Sequence, residues 1–96
     1  MRLISQDGMN GIYDIPYEKC LVYIYGDKKT IKVQPLGEVD SEYVFATYST
    51  ESKTLKVMEM LREEYLQYCI ARTSEYWFAF NHPKIFQFPK DEEVEV

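Results

Sequence analysis

The chain is poor in the groups on which most enzyme chemistry rests. It has one histidine, His82, among 96 residues. His82 precedes Pro83 in a turn-like stretch, and no carboxylate or nucleophile is placed beside it in sequence to make it a general base. G-x-G-x-x-G, G-x-x-x-x-G-K-[ST], H-E-x-x-H and G-x-S-x-G are all missing, so no catalytic residue is nominated and a non-enzymatic protein is expected. The two cysteines, Cys20 and Cys69, form no C-x-x-C and no metal spacing. Both read as buried free thiols, which suits a reducing compartment. Arginine stands only at Arg2, Arg62 and Arg72, too few for convincing phosphate recognition. No apolar run approaches the ~18 residues of a membrane span, and MRLISQDG lacks the apolar core of a signal peptide. The expected location is cytoplasmic.

Positive charge is also short. Eleven basic against 16 acidic residues leave a net charge of −5. Direct nucleic-acid binding needs a basic face, and the one basic pair, Lys28-Lys29, reads as a turn. The carboxylates gather at Glu38, Asp40 and Glu42, at Glu63 and Glu64, and from Asp91 to Glu95. The first group is too short for a calcium loop and reads as a solvated acidic loop, and no metal or cofactor is expected. Asp14, ahead of Ile15-Pro16, reads as a turn-shaping residue.

What is present is a foldable pattern. A composition 46% hydrophobic and 16% aromatic, with nine Tyr and five Phe, is globular, and 96 residues make one domain, 1–96. Residues 2–6 alternate up to Asp7-Gly8, and 11–15 follow until Pro16, which predicts an N-terminal hairpin. KCLVYIY at 19–25 is the clearest strand. Cys20, Val22 and Ile24 lie on one face, and Leu21, Tyr23 and Tyr25 on the other. After the Gly26–Lys29 turn, TIKVQ at 30–34 points Ile31 and Val33 inward. Residues 42–48 return as a third strand of an antiparallel meander.

That third strand hands over to a helix. Ser49 or Thr50 is the N-cap, and Glu51 favours the positive helix end. No Gly or Pro follows until Pro83. Leu55, Met58, Leu61, Tyr65, Tyr68 and Cys69 recur at helical spacing, with Lys56, Glu59, Glu63 and Gln67 opposite. Met60 lies off that face and Leu66 at its margin. The expected fold is α+β: an antiparallel sheet, hairpin plus meander, against one long amphipathic helix at about 50–69, with C-terminal strands at 76–80 and 85–88. Residues 90–96 read as a flexible acidic tail.

The C-terminal rings Tyr76, Trp77, Phe78, Phe80, Phe86 and Phe88 are too many for one face of a small sheet. With Met60 they are the candidate binding residues, because exposed aromatics mark partner surfaces. Two readings stand. One is a protein–protein interaction module, binding a partner or itself as a homodimer. The other is a binder that sequesters a nucleotide-like small molecule at a subunit interface.

RLISQDG at 2–8, DIPYE at 14–18, YST with a helix ending MLREEY at 48–65, and FQFPKDEEVEV at 86–96 resemble a family of small uncharacterised proteins of Firmicutes bacteria and their prophages and mobile elements. The match covers both ends and the helix, and only loosely 26–42. The inserted MNG and Tyr13 depart from the pattern, as does Ser52, which is often Glu in the family. The resemblance implies a bacterial or phage cytosolic protein and carries no activity. A host-modulating role follows by analogy only.

Overall fold

A computed structural model describes residues 1–7, 15–37, 41–72 and 85–96, apart from the side chains of 71 and 72. These form β1 (Arg2–Ile4), β2 (Ile15–Pro16), β3 (Cys20–Ile24), β4 (Thr30–Pro35), β5 (Tyr43–Thr47), the helix α1 (Glu51–Arg72) and β6 (Ile85–Gln87). Short 3-10 turns lie at Tyr17–Lys19 and Asp91–Glu93. The fold is α+β, as the alternation and the helical period imply. Residues 76–80, one of the expected strands, lie outside the described residues.

The meander forms with the order β3-β4-β5, antiparallel throughout. Asp27 builds its first turn. One carboxylate oxygen accepts from the N–H groups of Lys29 (2.9 Å) and Thr30 (3.0 Å), and the other accepts from the Thr30 hydroxyl at 2.7 Å. Short Asp side chains favour turns through such local bonds. Lys28 takes a left-handed φ of 65° there, a conformation that disfavours residues with a Cβ. Register places Val22 beside Val33 and Ile24 beside Ile31 on the inner face, and Leu21, Tyr23, Lys32 and Val44 on the outer. A bulge between Ile31 and Lys32 shifts the β5 pairing from Ala46 to Val44. It lets Phe45 and Ala46, adjacent in sequence, both be buried.

One sheet is expected; the described residues form two. The second has the order β2-β1-β6, with β2 antiparallel and β6 parallel to β1. The two N-terminal strands pair as the expected hairpin requires at Leu3 and Ile15, residues 11–14 of its second strand lying outside the described residues, while the C-terminal strand runs in the direction opposite to an antiparallel addition. Its parallel course carries Phe88 past Ile4, whose carbonyl accepts the Phe88 N–H at 3.0 Å, and toward β5 and the start of α1. An antiparallel β6 would have led the chain back toward Met1.

Gln6 joins the two sheets. Its N–H donates to the Phe45 carbonyl at 2.7 Å. Its side-chain amide then does for Thr47 what a backbone peptide would: Oε1 accepts from the Thr47 N–H (3.1 Å) and Nε2 donates to the Thr47 carbonyl (3.2 Å). The same Nε2 donates to the Pro89 carbonyl at 3.1 Å. Gln6→Ala removes three hydrogen bonds, two of them at the exposed Thr47 backbone, while the Pro89 carbonyl keeps the Tyr48 hydroxyl; it should cost about 0.5–1.5 kcal/mol, read as a lower urea midpoint.

The helix begins where expected. Thr50 is the cap, its hydroxyl accepting from the Lys53 N–H at 3.2 Å. The helix face is rotated from the expected one. Thr54, Val57 and Leu61 are the buried positions, with Met58, Tyr65 and Tyr68 packed beside them. Leu55, expected inside, is 53% exposed. Two compact β-branched side chains, Thr54 and Val57, let the first turns approach the core closely. The Thr54 hydroxyl donates to the Thr50 carbonyl at 3.2 Å, so its burial leaves no polar atom unsatisfied.

The acidic tail, expected to be free, is docked. Val94 is buried, and the Tyr48 hydroxyl donates to the Pro89 carbonyl at 2.7 Å. Asp91 Oδ1 accepts from the N–H (2.8 Å) and hydroxyl (3.1 Å) of Ser49 just ahead of α1, while Lys53 Nζ reaches the Asp91 carbonyl at 2.8 Å.

Candidate functional site

The residues nominated from the sequence separate into three groups. Tyr76, Trp77, Phe78 and Phe80 lie outside the described residues, as do His82, Asp14, Glu38 and Asp40. Phe86 and Phe88 are buried, at 7% and 1% exposure. They meet edge to face at 5.2 Å, and Phe88 meets Phe45 edge to face at 5.8 Å. This corrects the expectation that they take part in an exposed patch. Strand alternation turns Ile85 and Gln87 outward and Phe86 inward, and Phe88, one residue past the strand, is buried as well. Met60 is partly buried at the margin of the core and lines a shallow groove with Glu63, Glu64, Ile85 and Phe86.

The outer face of the meander is the surface that the sequence reading passed over. Leu21, opposite Gln34, is 54% exposed, and Val44, opposite Lys32, is 57% exposed. Lys32 Nζ lies 3.7 Å from the centre of the Tyr25 ring and 3.6 Å from Glu42 Oε2. Glu42 in turn holds the Tyr23 hydroxyl, and this hydrogen bond is the main cause raising the Tyr23 pKa above its ordinary value. Tyr25, Lys32, Glu42 and Tyr23 thus form an open chain of three contacts on the face that also exposes Leu21 and Val44. The signal was legible as the second alternating set of β3, Leu21, Tyr23 and Tyr25. Its cross-strand partners were not, because a bulge sets them.

A second aromatic group lies where the Tyr17–Lys19 turn meets α1. Tyr17 and Tyr65 rings are 4.5 Å apart, and Tyr65 and Tyr68 6.1 Å apart. Tyr65 is hydrogen-bonded to Cys69, the chief cause raising its pKa. Cys20 donates to the Tyr17 carbonyl at 3.5 Å, and its thiol is pushed up to about 11, first by burial and then by Glu18. At neutral pH it is a protonated, poorly nucleophilic thiol. Both cysteines are free and half-buried, less buried than the sequence implied.

The Asp91 clasp makes stability depend on pH. The Ser49 N–H is the largest effect holding the Asp91 carboxyl below its ordinary 3.8; burial opposes it next, and the Ser49 hydroxyl and Lys53 add to the lowering. A group depressed in the folded state contributes stability in full above its unfolded value and loses it as pH falls through the folded one. Asp27, also lowered, by the Thr30 hydroxyl first, acts in the same window. Wild type should therefore exceed Asp91→Asn in thermal midpoint at neutral pH, and the gap should close as pH drops below 3.8.

Among the described residues, no group of three or more His, Cys, Asp or Glu is placed to hold a metal ion. Among them, no helix is long and apolar enough to cross a membrane. The arrangement offers binding surfaces of Tyr, Leu and Val with internally paired charge. Comparison with family models, curated proteins and solved structures found no match to the chain.

Proposed function

We propose that this chain is a non-enzymatic module that binds another protein through the outer face of the β3-β4-β5 meander. The observation that carries this reading is the Tyr25–Lys32–Glu42–Tyr23 chain of contacts on the face that also exposes Leu21 and Val44. Tyr contributes large contact area with few rotatable bonds. A lysine already paired within its own surface needs less reorganisation when a partner excludes water from it. The resemblance to proteins of Firmicutes and their prophages extends the reading to a cytoplasmic, host-modulating partner interaction.

The small-molecule reading has weaker support. The groove at Gln6, Lys90 and Gln87 carries Asp7, Asp91 and Glu92, and the groove at Met60 carries Glu63 and Glu64. Carboxylates so placed repel a phosphate-bearing ligand.

Immobilised wild type and a Leu21→Asp/Val44→Asp variant, each exposed to a Firmicutes lysate, test the proposal. Wild type should retain a specific protein that the double variant releases and a Leu66→Asp control keeps. Absence of specific capture, or capture indifferent to the meander substitutions, overturns it.

A further inference from the structure

The face of α1 turned away from the core repeats in heptad fashion. Leu55, Glu59, Arg62, Leu66 and Cys69 follow at alternating steps of four and three, the spacing of a coiled-coil seam. Leu55 and Leu66 are each 53% exposed, and Glu59 and Arg62 between them are exposed. An open groove of about 480 Å³, lined by Tyr17, Leu55, Met58, Leu61 and Arg62, runs along the same side.

The order of charges on this seam is self-complementary in one direction only. Laid antiparallel on a second copy, with a twofold axis passing between Met60 and Leu61, Leu55 meets the partner's Leu66, and Glu59 meets the partner's Arg62. Each pair occurs twice, as an isologous contact requires. Ser52 falls opposite the partner's Cys69. On the flank, Lys56 lies diagonally across from the partner's Glu63. A parallel pairing would instead set Glu59 against Glu59 and Arg62 against Arg62, which is repulsive.

We propose that this chain self-associates through the seam of α1, as an antiparallel helix pair with Leu55 and Leu66 as apolar anchors and two Glu59–Arg62 pairs near the axis. This contact lies on a different element from the meander face and does not rest on the function proposed above. Two leucines per copy make a small interface, so a weak dimer is expected, with a dissociation constant on the order of 100 µM.

Sedimentation of the full chain from about 10 µM to about 1 mM, spanning that expected constant, tests the pairing. Wild type should pass from monomer to dimer. Glu59→Arg sets four cations around the axis and should weaken the dimer by about tenfold or more. Glu59→Arg/Arg62→Glu restores opposite charges in exchanged places and should recover the wild-type constant. Circular dichroism on each variant verifies that α1 remains folded, and Leu66→Asp provides a second, charge-independent disruption. A wild type that stays monomeric overturns the proposal. So does a dimer indifferent to both Glu59→Arg and Leu66→Asp, or a double swap that fails to recover association. A dimer that Leu21→Asp abolishes while Glu59→Arg does not would move self-association to the meander face and overturn the helix pairing alone.

Discussion

Phe88→Ala should remove about 3–5 kcal/mol of stability, the range for deleting a buried ring. A chain of 96 residues has on the order of 5–14 kcal/mol in total, so this one change removes a large share of its stability. The expectation rests on where the ring sits. Phe88 is 1% exposed and edge-on to both Phe45 and Phe86, so it ties β6 to β5. Its neighbours Pro89 and Asp91 then hold Tyr48, Gln6, Ser49 and Lys53. A cavity at 88 therefore loosens the joint between two sheets and the start of the helix together. Urea denaturation followed by circular dichroism measures it. A midpoint within error of wild type would mean that the C-terminal segment is not part of the cooperative unit.

Leu61→Ala and Leu55→Ala, made side by side, should differ by about 2–4 kcal/mol although both truncate a helical leucine by the same atoms. Leu61 is 1% exposed and belongs to the same core as Phe45 and Val57. Its truncation loses transfer energy and leaves a void, for about 2–5 kcal/mol. Leu55 is 53% exposed, and alanine has the higher helix propensity, so its loss should be within about 0.5 kcal/mol of neutral. Equal losses at both positions would return the helix to the face read from periodicity. The same comparison serves the dimer proposal, because Leu55→Ala should weaken association while leaving the monomer folded.

The rotation of that face shows why sequence periodicity stops where it does. Leu55, Met58 and Leu61 and, equally, Thr54, Val57 and Leu61 are spaced for one side of a helix. Hydropathy chooses the first set, since Leu and Met outrank Thr. The folded chain chooses the second, because Thr54 can turn its hydroxyl to the Thr50 carbonyl and offer the core only its methyl side. That option is invisible to a count of apolar residues. Leu55, displaced outward, then becomes half of the seam with Leu66. Phe86 and Phe88 teach a related lesson. Counting rings made them surplus, whereas alternation along β6 sends Phe86 inward and Ile85 out, and Phe88, one residue past the strand, is buried as well.

Short-range physics determined the meander, the Asp27 turn, the Ser49-Thr50 start of the helix and its unbroken run to Cys69, which the folded chain continues to Arg72. Each of these depends on residues a few positions apart, whose period, hydrogen-bonding side chains and lack of Gly or Pro can be read directly. The division into two sheets, the parallel course of β6, the Gln6 amide standing in for a peptide, and the docking of the tail on Ser49 were decided only in three dimensions. Those contacts join residues some 40 to 80 positions apart, such as Ser49 with Asp91 and Gln6 with Pro89. No local preference specifies such a pairing. It forms because polar groups that one element leaves unpaired take partners on whatever element the core brings beside them.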